Sequence, residues 1–123
     1  MPRAFAVCVV EDDAPLREGI GSYLRSFDLS VELYGSAEAF LREGAAGRAA
    51  CVVTDIQLPG ISGVELATSL SAIGCRAPII IMTARTDAVT EAAALAVSPA
   101  GLLRKPFAMS DLYRQIETLL QPG

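Results

Sequence analysis

Residues 51–59 read CVVTDIQLP. An apolar run, Cys51-Val52-Val53, passes through Thr54 into a lone carboxylate, Asp55, and a turn follows at once, marked by Pro59, Gly60 and Gly63. Apolar run, acid, turn is the pattern of a parallel strand buried on both faces that delivers one charged group to its carboxyl end. In open α/β sheets ligands bind at that end. Asp55 is therefore the candidate reactive group, and the rest of the chain is its setting.

Working outward, the same pattern recurs. Residues 5–10 (FAVCVV) form a continuous apolar run that ends in Glu11, Asp12 and Asp13. Pro15 suits a first helical turn, and Leu16, Ile20, Tyr23, Leu24 and Phe27 follow at helical spacing. A short strand is expected over 30–34, then a helix opened by Ser36 as N-cap, with Ala39, Phe40 and Leu41 on it. The strand of Asp55 covers 50–54. A helix over 63–73 closes near Gly74, and a strand over 79–82 ends at Thr83. An alanine-rich helix spans 86–97, and a brief strand over 100–103 runs into Arg104-Lys105. Ser110 caps a last helix whose apolar stripe is Leu112, Ile116, Leu119 and Leu120. Tyr23, Phe27, Phe40 and the leucines of the last helix are expected in the core. Strands without alternation, each followed by an amphipathic helix, imply a doubly wound parallel α/β sheet.

Composition bounds the function. At 123 residues the chain is expected to form a single domain over 1–123, large enough to bury roughly two-thirds of its unfolded surface. With 52% hydrophobic and 20% charged residues, the composition argues against disorder. A net charge of −4 and the lack of a basic run argue against direct nucleic-acid binding by this chain. No apolar stretch approaches the ~18 residues of a membrane span, and no leader pattern opens the chain, so a cytoplasmic location is expected. Cys8, Cys51 and Cys75 show no metal or redox spacing and read as reduced thiols. Histidine is absent, which removes the usual general base. Nine arginines stand beside one lysine, Lys105. A lone lysine in that background suggests work for a compact ammonium.

In a parallel sheet all the carboxyl ends lie on one edge. That edge collects Glu11, Asp12 and Asp13 from the first strand, Asp55 from the third, Thr83 from the fourth and Lys105 from the fifth. Two carboxylates about 4 Å apart repel by roughly 4 kcal/mol at an effective dielectric near 20, which a cation relieves. Hard oxygen ligands gathered on one side suit Mg²⁺, which keeps several waters and often shares itself with a phosphate. The site reads as built for a divalent cation and a phosphoryl group, with Asp55 as acceptor, because carboxylate nucleophiles forming aspartyl phosphates are an established chemistry.

The pieces VVEDDAPLR (9–17), TDIQLPGISGVEL (54–66), IIIMTA (79–84) and RKPF (104–107), in this order and at these separations, resemble the receiver domain of two-component response regulators over nearly the whole chain. The nearest flavour is the nitrogen-fixation regulator branch. The resemblance implies a flavodoxin-like sheet of strand order 2-1-3-4-5. It implies Asp55 as phosphoacceptor, Glu11 and Asp12 as the acidic pair, and the Gln57 main-chain carbonyl completing the protein's ligands to Mg²⁺. Thr83 would hydrogen-bond the phosphoryl group and Lys105 would pair with it, across a cis Lys105–Pro106 bond. The implied donor is a sensor histidine kinase. The implied output is transcription, controlled through a fused or partner domain. The implied contact surface, for a partner or a homodimer, is the fourth helix, fifth strand and fifth helix. Such a domain is a signalling module and catalyses only its own phosphotransfer and dephosphorylation.

This chain departs from the family pattern at three places. Glu11 stands where an aspartate is usual; its extra methylene could push its carboxylate past the metal or let it engage through a water, and Asp13 reads either as the rival ligand or as a charge at the helix N-terminus. Leu102 replaces the aromatic three residues before the lysine. Ser98-Pro99 replaces a small pair and is expected to shorten or re-angle the helix before it. These departures motivate a competing reading, an interaction module that needs no phosphate. A phosphatase with an aspartyl nucleophile is a third reading, weakened because a second acid two residues on is needed and position 57 is glutamine. Gln57 and Arg85, two beyond Asp55 and Thr83, are either tuning residues of phosphoryl lifetime or ordinary loop side chains.

Overall fold

The structure is a computed structural model and describes residues 5–84 and 87–120. Five strands, β1 (Ala6–Val10), β2 (Val31–Tyr34), β3 (Ala49–Asp55), β4 (Ile79–Thr83) and β5 (Gly101–Arg104), alternate with five helices. The helices are α1 (Ala14–Arg25), α2 (Ala37–Arg42), α3 (Gly63–Ala72), α4 (Ala88–Ala96) and α5 (Met109–Leu120), and a 3₁₀ turn, Ala45–Arg48, precedes β3. All the strand pairs are parallel and the order is β2-β1-β3-β4-β5, as expected. The chain winds one way from β1 to β2, then crosses back over β1 to β3, so the direction of winding reverses between β1 and β3. That is where the carboxyl ends of a doubly wound sheet leave a crevice.

Alternation along each strand feeds two separate cores. Val7, Val9, Cys51, Val53, Ile80 and Met82 face Ile20 and Leu24 of α1 and Leu112 and Ile116 of α5. Ala6, Cys8, Val10 and Val52 face Phe40 of α2 and Leu66 and Leu70 of α3. Ile56, Ile81 and Ala94 form a smaller cluster under α4. A buried side chain of the Val, Leu, Ile or Phe class stabilises by roughly 1.5–3 kcal/mol relative to exposure. Both faces of the sheet therefore earn their apolar runs.

Local chemistry explains the helix boundaries. Ser36 caps α2 by accepting from the Ala39 N–H at 3.1 Å. Ser62 and Glu65 form a full capping box on α3. Asp87 caps α4, accepting from the Thr90 N–H at 2.8 Å, so the helix begins at Ala88; Thr86, where the sequence started it, lies outside the described residues. α4 stops at Ala96, and Ser98, two residues on, is in the left-handed region (φ 52°). Ser110 is not the cap of α5: the helix begins at Met109, two residues before the start that a cap at Ser110 would give, and Ala108 accepts the first helical bond, from Asp111. Two aromatic expectations are corrected. Phe5 lies outside β1 and is 57% exposed. Phe27 is 43% exposed and stacks on Tyr113, ring centroids 3.9 Å apart, because α1 has ended at Arg25 and the residue faces the rim of α5.

Candidate functional site

Three strand ends build the site. β1 leads directly into Glu11, whose N–H donates to the Tyr34 carbonyl at 3.0 Å and whose carbonyl accepts from Arg17 Nη1 at 2.8 Å. β3 ends on Asp55; the next residue, Ile56, donates to the Met82 carbonyl at 2.9 Å. β4 ends on Thr83, whose carbonyl accepts from the Lys105 N–H at 2.8 Å. These ladder bonds fix the heights of the ends relative to one another.

The β3–α3 turn presses back on the site. Gly63 donates to the Ile56 carbonyl at 3.0 Å, and a methyl group at position 63 would run into the Asp55 carbonyl. Only glycine permits that approach of α3 to β3. The Gln57 N–H donates to Asp55 Oδ1 at 2.8 Å and orients the carboxylate, while the Gln57 side chain points into solvent.

Lys105 closes the site. Its Nζ donates to Asp55 Oδ2 at 2.5 Å and to Glu11 Oε1 at 2.8 Å. Glu11 is 1% exposed, and its other oxygen accepts from the Asp13 N–H at 3.1 Å. Burial pushes the Glu11 carboxyl above its ordinary range, against the pull of the Lys105 ammonium. Burial works to lower the Lys105 value, but the hydrogen bonds it donates to Asp55 and Glu11 and their negative charges outweigh it, and the net shift is upward. The Lys105–Pro106 bond is cis. Carboxylate oxygens of Glu11, Asp12 and Asp55 lie within 4.8 Å of one another, with Asp12 the exposed member. This donor set, three hard oxygens on one rim, fits a small divalent cation. Asp13, the rival ligand, stands outside the cluster; its side chain makes no cap bond to α1, and it lines a neighbouring cavity of about 440 Å³ with Leu16, Lys105, Phe107 and Met109. The Glu11 carboxylate bridges the Asp13 main chain and the Lys105 ammonium.

Thr83 is buried at the end of β4, one residue beyond Met82, the partner of Asp55 in register. Leu102 sits in β5 and packs on the cluster of Ile56, Ile81 and Ala94. Arg85 lies outside the described residues. Two contributors carried no sequence signal: Arg17, which holds the Glu11 main chain, and Glu38 of α2, which accepts from the Ile61 N–H of the β3–α3 turn at 3.0 Å.

A five-stranded doubly wound sheet with an acidic cluster and one lysine at its switch point defines the receiver class of signalling domain. The chain belongs to the response regulator receiver domain family, whose sequence profile matches residues 7–117. It is 39% identical over 107 residues to the transcriptional regulatory protein FixJ of Azorhizobium caulinodans, covering 87% of this chain and 51% of that one. The crystal structure of FixJ-N superposes with a TM-score of 0.85 at 28% identity, covering 97% and 95% of the two chains. The response regulator StyR gives a TM-score of 0.87 at 36% identity, covering 97% of this chain and 60% of that one. The chain spans about half the length of the curated relatives it matches. Among the described residues no helix is long and apolar enough to cross a membrane.

Proposed function

We propose that Asp55 is the phosphoacceptor and that a sensor histidine kinase is the donor. A carboxylate oxygen of Asp55 attacks the phosphorus of a phosphohistidine. The P–O bond forms as the P–N bond breaks, and the imidazole leaves with the electron pair of that bond and takes up a proton. The observation that carries this reading is the Lys105 ammonium, 2.5 Å from Asp55 Oδ2 inside a three-carboxylate cluster. Glu11, Asp12, Asp55 and the main-chain carbonyl of Gln57 would hold Mg²⁺. Bound there, the cation would neutralise charge on the transferring oxygens. Lys105 then pairs with a phosphoryl oxygen, and the Thr83 hydroxyl donates to another. The cavity beside Lys105 gives the donor imidazole room to approach over Leu16, Phe107 and Met109.

The phosphoryl group resets the surface through these two contacts. Charge-assisted hydrogen bonds are worth roughly 1.5–3 kcal/mol each. Two of them approach the ~5.5 kcal/mol that inverts a 1:99 equilibrium. The output face is α4, β5 and α5, where Val89 and Leu95 are exposed and Arg104 pairs with Glu91. That face would meet a second copy or a partner, and transcription would be controlled by a fused or partner domain; with a net charge of −4, nucleic-acid contact falls to that domain.

Incubation with acetyl phosphate and Mg²⁺ tests the assignment. The wild-type protein gains the mass of one phosphoryl group and Asp55→Asn gains none. No gain in the wild type, or an equal gain in Asp55→Asn, overturns it. Leu102, packed among aliphatic side chains where the family pattern has an aromatic, supports a second reading in which the output face works without phosphate. On that reading Asp55→Asn binds its partner as tightly as phosphorylated wild type does.

A further inference from the structure

The β3–α3 turn, residues 56–62, carries Gln57 and aims Asp55. Most of its tethers are local: Gly63 to Ile56, Gln57 to Asp55, and the Ser62–Glu65 capping box. Besides the bond from Ile56 to Met82 where the turn leaves β3, a side-chain tether comes from a different part of the chain. Glu38, in the first turn of α2, sends Oε2 to the Ile61 N–H at 3.0 Å. A first-turn carboxylate is already favoured by the helix dipole, and that role leaves the side chain in solvent. Here the head group turns instead onto a neighbouring loop. It lies against Gly60, which has φ +76°, and a methyl group at position 60 would collide with Glu38 Oε2. Glu38 Oε1 is buried and has no hydrogen-bond partner among the described residues. Buried acceptors without partners are few in native folds.

We propose that Glu38 is a positioning residue of the phosphoacceptor site. Its carboxylate clamps Gly60 and Ile61, and the clamped loop holds Gln57 against Asp55 and toward the cation. Glu38 itself touches neither. The inference rests on the reading of Asp55 and its acidic neighbours given above. It makes the approach of α2 to the β3–α3 turn a determinant of cation affinity and phosphoryl lifetime. Groups that orient metal ligands from behind typically change metal affinity about 10–100-fold when removed.

Four variants test it: Glu38→Ala, Glu38→Gln, Gly60→Ala and the Glu38→Ala/Gly60→Ala double. Each is checked for folding by circular dichroism and urea midpoint, then titrated with Mg²⁺ by calorimetry. Each is also labelled with acetyl phosphate and timed for loss of the phosphoryl group. Glu38→Ala is expected to weaken Mg²⁺ binding about tenfold and to alter the phosphoryl lifetime. Glu38→Gln keeps an oxygen acceptor for the Ile61 N–H and restores most of the affinity. Gly60→Ala displaces the carboxylate and reproduces the loss, and the second substitution of the double variant then adds little. Wild-type Mg²⁺ affinity and lifetime in a folded Glu38→Ala overturn the proposal. So do additive losses in the double variant. If Glu38→Ala does not fold, wild-type affinity in Gly60→Ala overturns it. A wild-type protein that takes no phosphoryl group sinks the reading of Asp55 instead, and the Mg²⁺ titrations still decide the role of Glu38.

Discussion

Lys105 is the residue on which the charges of the site balance. It is the chain's one lysine, and it stands between a buried glutamate and Asp55. Removing it as Lys105→Met leaves clustered carboxylates without a counter-charge. Breaking a fully buried pair costs about 3–5 kcal/mol. The Lys105 side chain keeps 19% exposure, so a loss of about 2–3 kcal/mol is expected in metal-free urea unfolding, and Mg²⁺ recovers part of it. An unchanged midpoint without metal would show that the ammonium contributes nothing there. The raised Lys105 value sets the pH window: its contribution is full below 10.5 and fades only as pH climbs through the raised value. At the same scale, burial holds the Cys8 and Cys51 thiols near a pKa of about 12. A thiol-exchange reagent at pH 8 should leave both untouched in the folded protein and label both in urea; fast native labelling at either would contradict their burial.

Elements carry the next set of costs. Ser98 ends α4 with a positive φ of 52°, a conformation that disfavours side chains by roughly 1–2 kcal/mol. Glycine relieves that and gives back about 0.5–1 kcal/mol in chain entropy. Ser98→Gly should therefore raise thermal stability by about 0.5–1 kcal/mol, and a fall would mean that the serine side chain has a compensating bond. On β2, Glu32 accepts from Arg48 at 2.9 Å through both oxygens and from the Tyr34 hydroxyl at 2.6 Å, tying the edge strand to the turn before β3. The hydrogen bond from Arg48 leads in holding the Glu32 carboxyl below its ordinary 4.5. Its contribution is complete above 4.5 and is lost as pH falls through the depressed value. Glu32→Gln should cost under about 1 kcal/mol at pH 7, the pair being partly solvated, and the gap to wild type should narrow as the solution is acidified. A gap that stays constant in acid would assign the loss to something other than charge.

For the molecule as a whole, a ligand that binds only the folded state raises stability with its concentration, by about 2.7 kcal/mol at a hundred times Kd. Mg²⁺ with beryllofluoride should stabilise wild type in this way and leave Asp55→Asn behind; equal shifts would place the ligand elsewhere. The architecture was legible because the strands that build the sheet are unbroken apolar runs, so period and punctuation sufficed to place β1, β3 and β4. The strand-end residues were legible for the same reason: parallel topology delivers Glu11, Asp55, Thr83 and Lys105 to one edge whatever the loops do. The start of α5 was not, because Ser110 resembles a cap and a shift of two residues leaves no pattern. Phe27 was misplaced because helical spacing continues in sequence past the point where α1 ends. Glu38 was invisible because a carboxylate that reaches a main-chain N–H in a distant turn leaves no motif. Finally, α4 buries one of its nine residues, Ala94, whereas α3 buries four of ten. Its amides should exchange with deuterium well before those of α3. A rudder so lightly seated answers to a small torque; were Asp55 to take a phosphoryl group, the few kilocalories its contacts supply would suffice to re-trim it.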